Sequence, residues 1–339
     1  MLVDAHLDIA YNALRGRNVL LPAAEQMPLE EGHAAVGVPD LRAGGATLIC
    51  ATIFCEPWFS RDNSPGYRTP REANLAGRRQ LDWYASQRNS GVFRFVTHAG
   101  DLPAGETRPN DPIAAIILLE GADPILSSED AQWWFDAGVR IVGLAWKQTR
   151  YAGGTSMPGP LTAAGVELVE ELEELGVIHD TSHLAEESFW QLMDLTRGPV
   201  IASHSNCRQI IPTDRQLSDA MIKALAGRGG VIGVNFYDQF LIPPAERGKR
   251  RANLDDVVRQ IRHMADLLGG TRNIGIGTDM DGGLGREQIP REINSWADLG
   301  KLADTLSTAN FSDQEITGIM EKNWMDFFCR ALPVILPPS

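Results

Sequence analysis

Eight short apolar runs recur along the chain, at residues 2–5, 47–54, 114–119, 140–145, 177–181, 200–203, 231–236 and 273–277. Most are almost continuously apolar, as parallel strands covered on both faces must be. Segments of helical periodicity lie between them. Thr162 reads as an N-cap ahead of Val166, Leu168, Val169, Leu172 and Leu175, with Gly176 as the stop. Ser218 stands before Met221, Ile222 and Leu225, with Gly227 after them. Asp255 opens a third segment whose Val257, Val258, Ile261, Met264, Leu267 and Leu268 share a face that ends at Gly269 and Gly270. Strand–helix alternation implies parallel βαβ units, and eight of them predict closure into a (β/α)8 TIM barrel. A ninth, more polar run at 93–97 is expected outside the barrel. Long loops follow the strand ends at 56–71, 147–160 and 237–253, where they are expected to shape a pocket at the C-terminal face of the strands.

A length of 339 residues exceeds the usual domain, but a barrel with insertions runs this long. No internal repeat or low-complexity tail calls for a second unit, so one hydrolase barrel domain over 1–339 is expected. The net charge of -13 argues against nucleic acid and anionic membrane surfaces as partners. The four cysteines, Cys50, Cys55, Cys207 and Cys329, form no CxxC pair and read as free thiols. MLVDAHLDIA has neither a basic segment nor a long apolar one, so it does not read as a signal peptide. ALPVILPPS is too short and proline-broken for an anchor signal. The expectation is a cytoplasmic protein with a small-molecule substrate, no membrane partner, and room for a homodimer.

Several runs end in residues suited to chemistry. His6 and Asp8 close the first, Glu120 the third, His183 and His204 follow two consecutive ones, and Asp279 follows the last. Catalytic residues of closed parallel barrels sit at the C-terminal strand ends. Imidazoles and carboxylates converging there point to a binuclear metal site. His6 and Asp8, two positions apart on extended chain, point to one side. Glu120 is the candidate bridge between two cations. His183 and His204 are assigned to the second metal, with Asp180 as a candidate acceptor for their other ring nitrogens. His179, His33, His98 and His263 read as structural. Asp279, in IGIGTDMDGG, is placed to orient a water and move its proton. Asp281 is read as a turn residue.

DAHLD, ILLEGADPI, GPLTAAGVELVEELEELGVIHDTSH, IASHSN, DRQLSD, GGVIGVNFYDQFL and IGIGTDMDGG, in that order, resemble the motifs of the renal (membrane) dipeptidase family of zinc dipeptidases. The resemblance runs from His6 to about Gly283, with an echo near Asn323. It implies a (β/α)8 barrel with two zinc ions (Zn2+). His6 and Asp8 would hold one ion, Glu120 would bridge, and His183 and His204 would hold the other. Asp279 matches the acid–base aspartate, and a hydroxide bridging the metals is the implied nucleophile. Arg215, in DRQLSD, is similar to the arginine that binds the substrate carboxylate, which suits a guanidinium fork.

The resemblance breaks in two places. Trp146, in GLAWKQT, stands where the family usually has a substrate-contacting histidine, and Gln216 replaces an asparagine. A changed substrate shell with an intact metal set is therefore expected, with Lys147 or Tyr151 as alternative hydrogen-bond donors. The leading expectation is a binuclear zinc hydrolase cleaving a dipeptide or dipeptide-like amide. The alternatives are an amidohydrolase-like enzyme acting on another amide, ester or lactone, and a metal-binding protein that has lost turnover.

Overall fold

The computed structural model describes residues 1–58, 66–105, 108 and 110–334. The expected pocket-shaping loop at 56–71 and the C-terminal ALPVILPPS therefore lie partly outside the described residues. All eight expected strands form: β1 Leu2–Leu7, β2 Ala46–Phe54, β3 Ile113–Glu120, β4 Val139–Gly143, β5 Ile178–Asp180, β6 Val200–Ile201, β7 Ile232–Val234 and β8 Ile274–Ile276. The first six make one curled parallel sheet in chain order. β7 and β8 pair in parallel with each other, and a parallel bridge between Ala202 and Ile232 joins them to β6. Closure back to β1 runs through the Asp279 N–H, which donates to the His6 carbonyl at 3.3 Å. The result is the expected α/β TIM-type barrel. Phe93–Phe95 pairs with the start of β3, off the main strand path.

Alternation along the strands sorts the apolar residues into two cores. Leu48, Cys50, Ala114, Ile116, Leu118, Ile141, Ile178 and Ile201 face the barrel interior with Trp324, Phe327 and Phe328. Their neighbours Ile49, Ala51, Ile53, Ala115, Ile117 and Leu119 face the helices. The interior rows, continued upward, arrive at the barrel mouth as Phe54, Glu120, Asp180 and Ser203. On β1 the register shifts between Asp4 and Leu7, and such an irregularity re-aims a side chain.

The helices follow their caps. The Thr162 hydroxyl accepts from the Gly165 N–H ahead of α1 Ala163–Glu174. Ser218 caps α2 Asp219–Gly227. That helix includes Gly227, and the left-handed residue beyond it is Gly229. α3 Leu254–Leu268 opens on a reciprocal cap between Asn253 and Asp256, one residue before the expected Asp255, and ends at left-handed Gly269. The loop after β4 contains a small antiparallel hairpin, Ala152–Gly154 with Met157–Leu161. Its Gly- and Pro-rich sequence gave no strand signal.

Candidate metal centre

The six candidate residues meet at the mouth of the barrel. Glu120, at the top of an interior row, turns its two oxygens to different imidazoles. Oε1 lies 3.2 Å from His183 Nε2 and 3.4 Å from His204 Nε2. Oε2 lies 3.3 Å from His6 Nε2, which is 3.8 Å from Asp8 Oδ2. Three triads have ligand atoms close enough to share an ion: His6, Asp8 and Glu120; Glu120, His183 and His204; and His6, His204 and Asp279. The first two have Glu120 in common.

The donor set fits divalent cations. Nε2 of His183 and Nε2 of His204 approach to 3.0 Å beside a carboxylate, a crowd of lone pairs that a cation stabilises. Among the described residues, His6 Nε2 and Asp8 Oδ1 are buried with no hydrogen-bond partner. Burial, then the positive charges of Arg215 and His6, holds His183 and His204 well below the ordinary imidazole range, and the neutral ring is the ligand form. Burial opposes a charge on His6 as well, yet Glu120, Asp8 and Asp279 push its pKa up to about 10. The same negative field attracts a metal ion.

Outer contacts hold these candidate side chains. Thr155 Oγ1, on the hairpin after β4, lies 3.0 Å from His183 Nδ1. Ser203 Oγ lies 2.7 Å from His204 Nδ1 and 3.1 Å from His6 Nδ1. Asp180 reaches the rings only through that serine, at 2.5 Å, and so is one bond further out than expected. His179 points away to Glu173 at 3.2 Å, the structural place expected for it. His33, His98 and His263 pair locally with Glu287, Asp101 and Asp219.

Asp279 has left-handed backbone, φ 59°. Its Oδ2 accepts from Asn235 Nδ2 at 2.9 Å. Burial is the main cause that pushes its pKa up to about 7, with Glu120 adding to the rise while His6 and Asn235 oppose it. Asn235 follows the run VIGV, so the strand-end rule that selected the other residues would also have selected it. Asp281 corrects a reading. It is no simple turn residue, because it is buried, pairs with Arg17 at 3.1 Å and accepts the N–H groups of Ala35 and Val36 at 2.9 Å each.

A cavity of about 770 Å³ opens above the cluster. Its walls include Asp8, Tyr11, Phe54, Glu120, Trp146, Lys147, Thr155, His183, Tyr237 and Asp279. Trp146 packs edge-on against Phe54 at 5.1 Å and lies 6.2 Å from His183. Lys147 sits on the wall with its Nζ 5.0 Å over the Trp146 ring. Tyr151 is not a donor to this space, since its hydroxyl is spent on the Ile125 carbonyl at 2.5 Å. Arg215 is placed behind the wall. It is buried, donating from Nη1 to Ser205 Oγ at 2.9 Å and from Nη2 to the His204 carbonyl at 2.6 Å. Phe240, which does line the cavity, lies 5.2 Å from its guanidinium. Gln216 is also buried, and its Oε1 accepts from the Asn206 N–H at 3.0 Å.

Known proteins resemble the chain in sequence and in fold. The profile of the membrane dipeptidase family, peptidase family M19, matches residues 1–331. An uncharacterized protein encoded in the pqqA 5' region of Klebsiella pneumoniae is 30% identical over 247 residues, 70% of this chain and 88% of that one. An uncharacterized dipeptidase of Schizosaccharomyces pombe is 30% identical over 244 residues, 68% of this chain. The match spans only 56% of the yeast protein's length. A crystal structure of a metallopeptidase from Rhodobacter sphaeroides, liganded with a phosphinate mimic of the dipeptide L-Ala-D-Ala, superposes with a TM-score of 0.81 at 24% identity, over 97% of this chain and 99% of that one. At that identity the likeness establishes the shared fold. Among the described residues, no helix is long and apolar enough to cross a membrane.

Proposed function

The chain belongs to the membrane dipeptidase family and is thus a metal-dependent hydrolase; on that premise we propose that it cleaves the amide bond of a dipeptide or dipeptide-like substrate with two zinc ions at the barrel mouth. The observation that carries this reading is the divided carboxylate of Glu120, with Oε1 toward His183 and His204 and Oε2 toward His6. His6 and Asp8 would hold one ion and His183 and His204 the other. When bound, such ions polarise the scissile carbonyl and lower the pKa of water.

The chain's own groups supply the rest. Asp279 is assigned to take the proton of the attacking water and pass it to the leaving amine. Burial raises the pKa of this carboxyl, which suits it to both steps. Asn235 holds Oδ2, leaving Oδ1 for the proton. A cavity of about 770 Å³ is of the size that encloses a small ligand. Trp146 and Phe54 are assigned to its specificity wall, which favours a small or flat substrate residue over the one that a histidine at 146 would admit. Arg215 is assigned to the substrate carboxylate, supported by the resemblance of DRQLSD and by donors beyond the two it spends on Ser205 and His204.

The test is zinc loading combined with a substrate screen. Wild type is expected to approach two zinc per chain and Glu120→Ala to fall below that. Zinc-loaded enzyme is expected to prefer some L-L or L-D dipeptides over N-acyl amino acids and lactones. Asp279→Asn should keep its metals and lose ~10²–10⁴-fold in turnover. One zinc per chain in both wild type and Glu120→Ala, or brisk turnover by Asp279→Asn, refutes the assignment.

A further inference from the structure

Ser203 is the last interior residue before His204, and its single hydroxyl stands among three close partners, with Ser182 Oγ further off at 3.5 Å. Asp180 Oδ2 is 2.5 Å away, His204 Nδ1 2.7 Å and His6 Nδ1 3.1 Å. Asp180 is itself fixed, because its Oδ1 accepts the N–H groups of Ser182 and Ser203 at 3.0 and 2.8 Å. The serine hydroxyl donates its one proton to Asp180 Oδ2. The two lone pairs that remain on Oγ face the two imidazoles. Each ring then carries a proton on Nδ1, so that the neutral, metal-binding form of each ring has Nε2 as its bare nitrogen. Both Nε2 atoms point at Glu120, that of His6 toward Oε2 and that of His204 toward Oε1. The rings also lie against each other, with centroids 3.7 Å apart.

His183 is served separately. Thr155 Oγ1 lies 3.0 Å from its Nδ1 and can donate its own proton to the His183 carbonyl at 3.4 Å. The proton arithmetic thus gives two histidines to Ser203 and leaves His183 to Thr155 and the Trp146 backbone.

We infer that Ser203, anchored by Asp180, is a positioning residue that presets the Nε2-ligating tautomer of His6 and His204 together and so couples the two halves of the metal centre. The inference rests on the two-zinc reading above, in which His6 and His204 serve different ions. Partners of this kind fix the tautomer and orientation of a ligand histidine, and losing one costs ~10–100-fold in metal affinity. Because one serine serves both sides, its loss should reach both ions, whereas loss of Thr155 should reach one.

The experiment is zinc titration against a competing chelator for wild type, Ser203→Ala and Thr155→Ala, with folding checked by circular dichroism. Side-chain imidazole NMR of the zinc-loaded proteins reports which nitrogen carries the proton. Wild type should show all three ligand histidines protonated on Nδ1. Ser203→Ala should weaken both zinc affinities by ~10–100-fold and disturb the His6 and His204 signals, leaving that of His183. Thr155→Ala should weaken one affinity and disturb His183 alone. If Ser203→Ala leaves either affinity at the wild-type value, the coupling is refuted. Should Ser203→Ala fail to fold, Asp180→Asn decides. Its amide can donate to Ser203 and force the serine proton onto an imidazole, so weakened zinc binding supports the inference and unchanged binding refutes it. A wild-type stoichiometry of one refutes the two-zinc reading instead, and the imidazole signals of Ser203→Ala then still show whether one serine sets both tautomers.

Discussion

Single residues at the mouth are held by contacts that leave little choice of side chain. A Cβ on Gly282 would stand 2.0 Å from Asp279 Oδ1 and 2.9 Å from Asp8 Oδ2. Gly282→Ala should therefore displace Asp279 and Asp8, while the cores below are untouched. Turnover and zinc content are expected to drop together in a protein of near-normal melting temperature; wild-type zinc content and turnover would show that the loop yields instead. Arg215 tests a different point. Its buried guanidinium can act through the substrate or only through Ser205 and His204. If it meets the substrate carboxylate, Arg215→Ala should impair dipeptides far more than their C-terminally amidated analogues, and kcat/KM for the two series separates these cases. Equal losses would make Arg215 a support for the His204 backbone. The residue types that cluster at the mouth were legible because each stood just past an apolar run. The burial of Arg215 and the ion pair of Asp281 were not, because both depend on segments far away in sequence.

Elements are tied to one another by polar contacts that periodicity does not reveal. The eight strands were legible because parallel strands covered on both faces are apolar throughout, and their helices because Thr162, Ser218 and Gly269 mark ends by local chemistry. The hairpin that carries Thr155 was not legible. Its strands are three and five residues long and rich in Gly and Pro. Glu173, near the end of α1, shows a tie of this kind. It meets His179 Nε2 on β5 at 3.2 Å and accepts the N–H groups of Arg197 and Gly198, just before β6, at 2.6 Å each. The His179 hydrogen bond is the main cause that lowers its pKa to about 2; burial opposes the shift, and the two N–H groups assist it. A depressed carboxyl adds stability that is present above its unfolded pKa and lost as pH falls through the folded one. Glu173→Gln should accordingly lower the urea midpoint at pH 7. The gap to wild type should narrow as pH falls below about 4.5 toward 2, since the unfolded glutamate takes up its proton near 4.3. A gap that is constant with pH would mean that packing rather than charge is lost.

For the whole molecule the decisive place is the seam where β8 meets β1, because the site is assembled only when the barrel closes. No regular strand ladder spans the seam among the described residues; Asp4 pins it. This fully buried carboxylate accepts the Thr278 N–H at 2.9 Å, the Thr278 hydroxyl at 2.6 Å, the Trp296 indole N–H at 2.8 Å and the His6 N–H at 3.3 Å. Burial raises its pKa, and the hydrogen bonds from Thr278, Trp296 and His6 oppose that rise. The pin stands two residues before His6, and its partner Thr278 stands one before Asp279, so it sets the spacing between a proposed metal ligand and the proposed proton carrier. Below it the interior of β8 is kept small, because a Cβ at Gly275 would strike the Trp324 indole at 2.1 Å. Asp4→Ala would strand buried donors that each cost about 1–3 kcal/mol when unpaired. Not all of them would stay dry, so a total loss of about 3–5 kcal/mol is expected, at the upper end for single substitutions. Asp4→Asn keeps one acceptor oxygen and removes a charge that burial disfavours, but it turns an N–H₂ group either toward the N–H groups of Thr278 and His6 or toward the Trp296 indole N–H and the Thr278 hydroxyl. It should fall between alanine and wild type. Urea unfolding of the three proteins measures the order, and zinc titration of the same samples shows whether closure controls the site. If the pin works as described, Asp4→Asn should bind zinc more weakly under conditions where it is still fully folded. Wild-type zinc affinity in a destabilised Asp4→Asn would mean that the site forms without a well-closed seam. A loss under 1 kcal/mol for Asp4→Ala would mean that another contact holds β8 against β1.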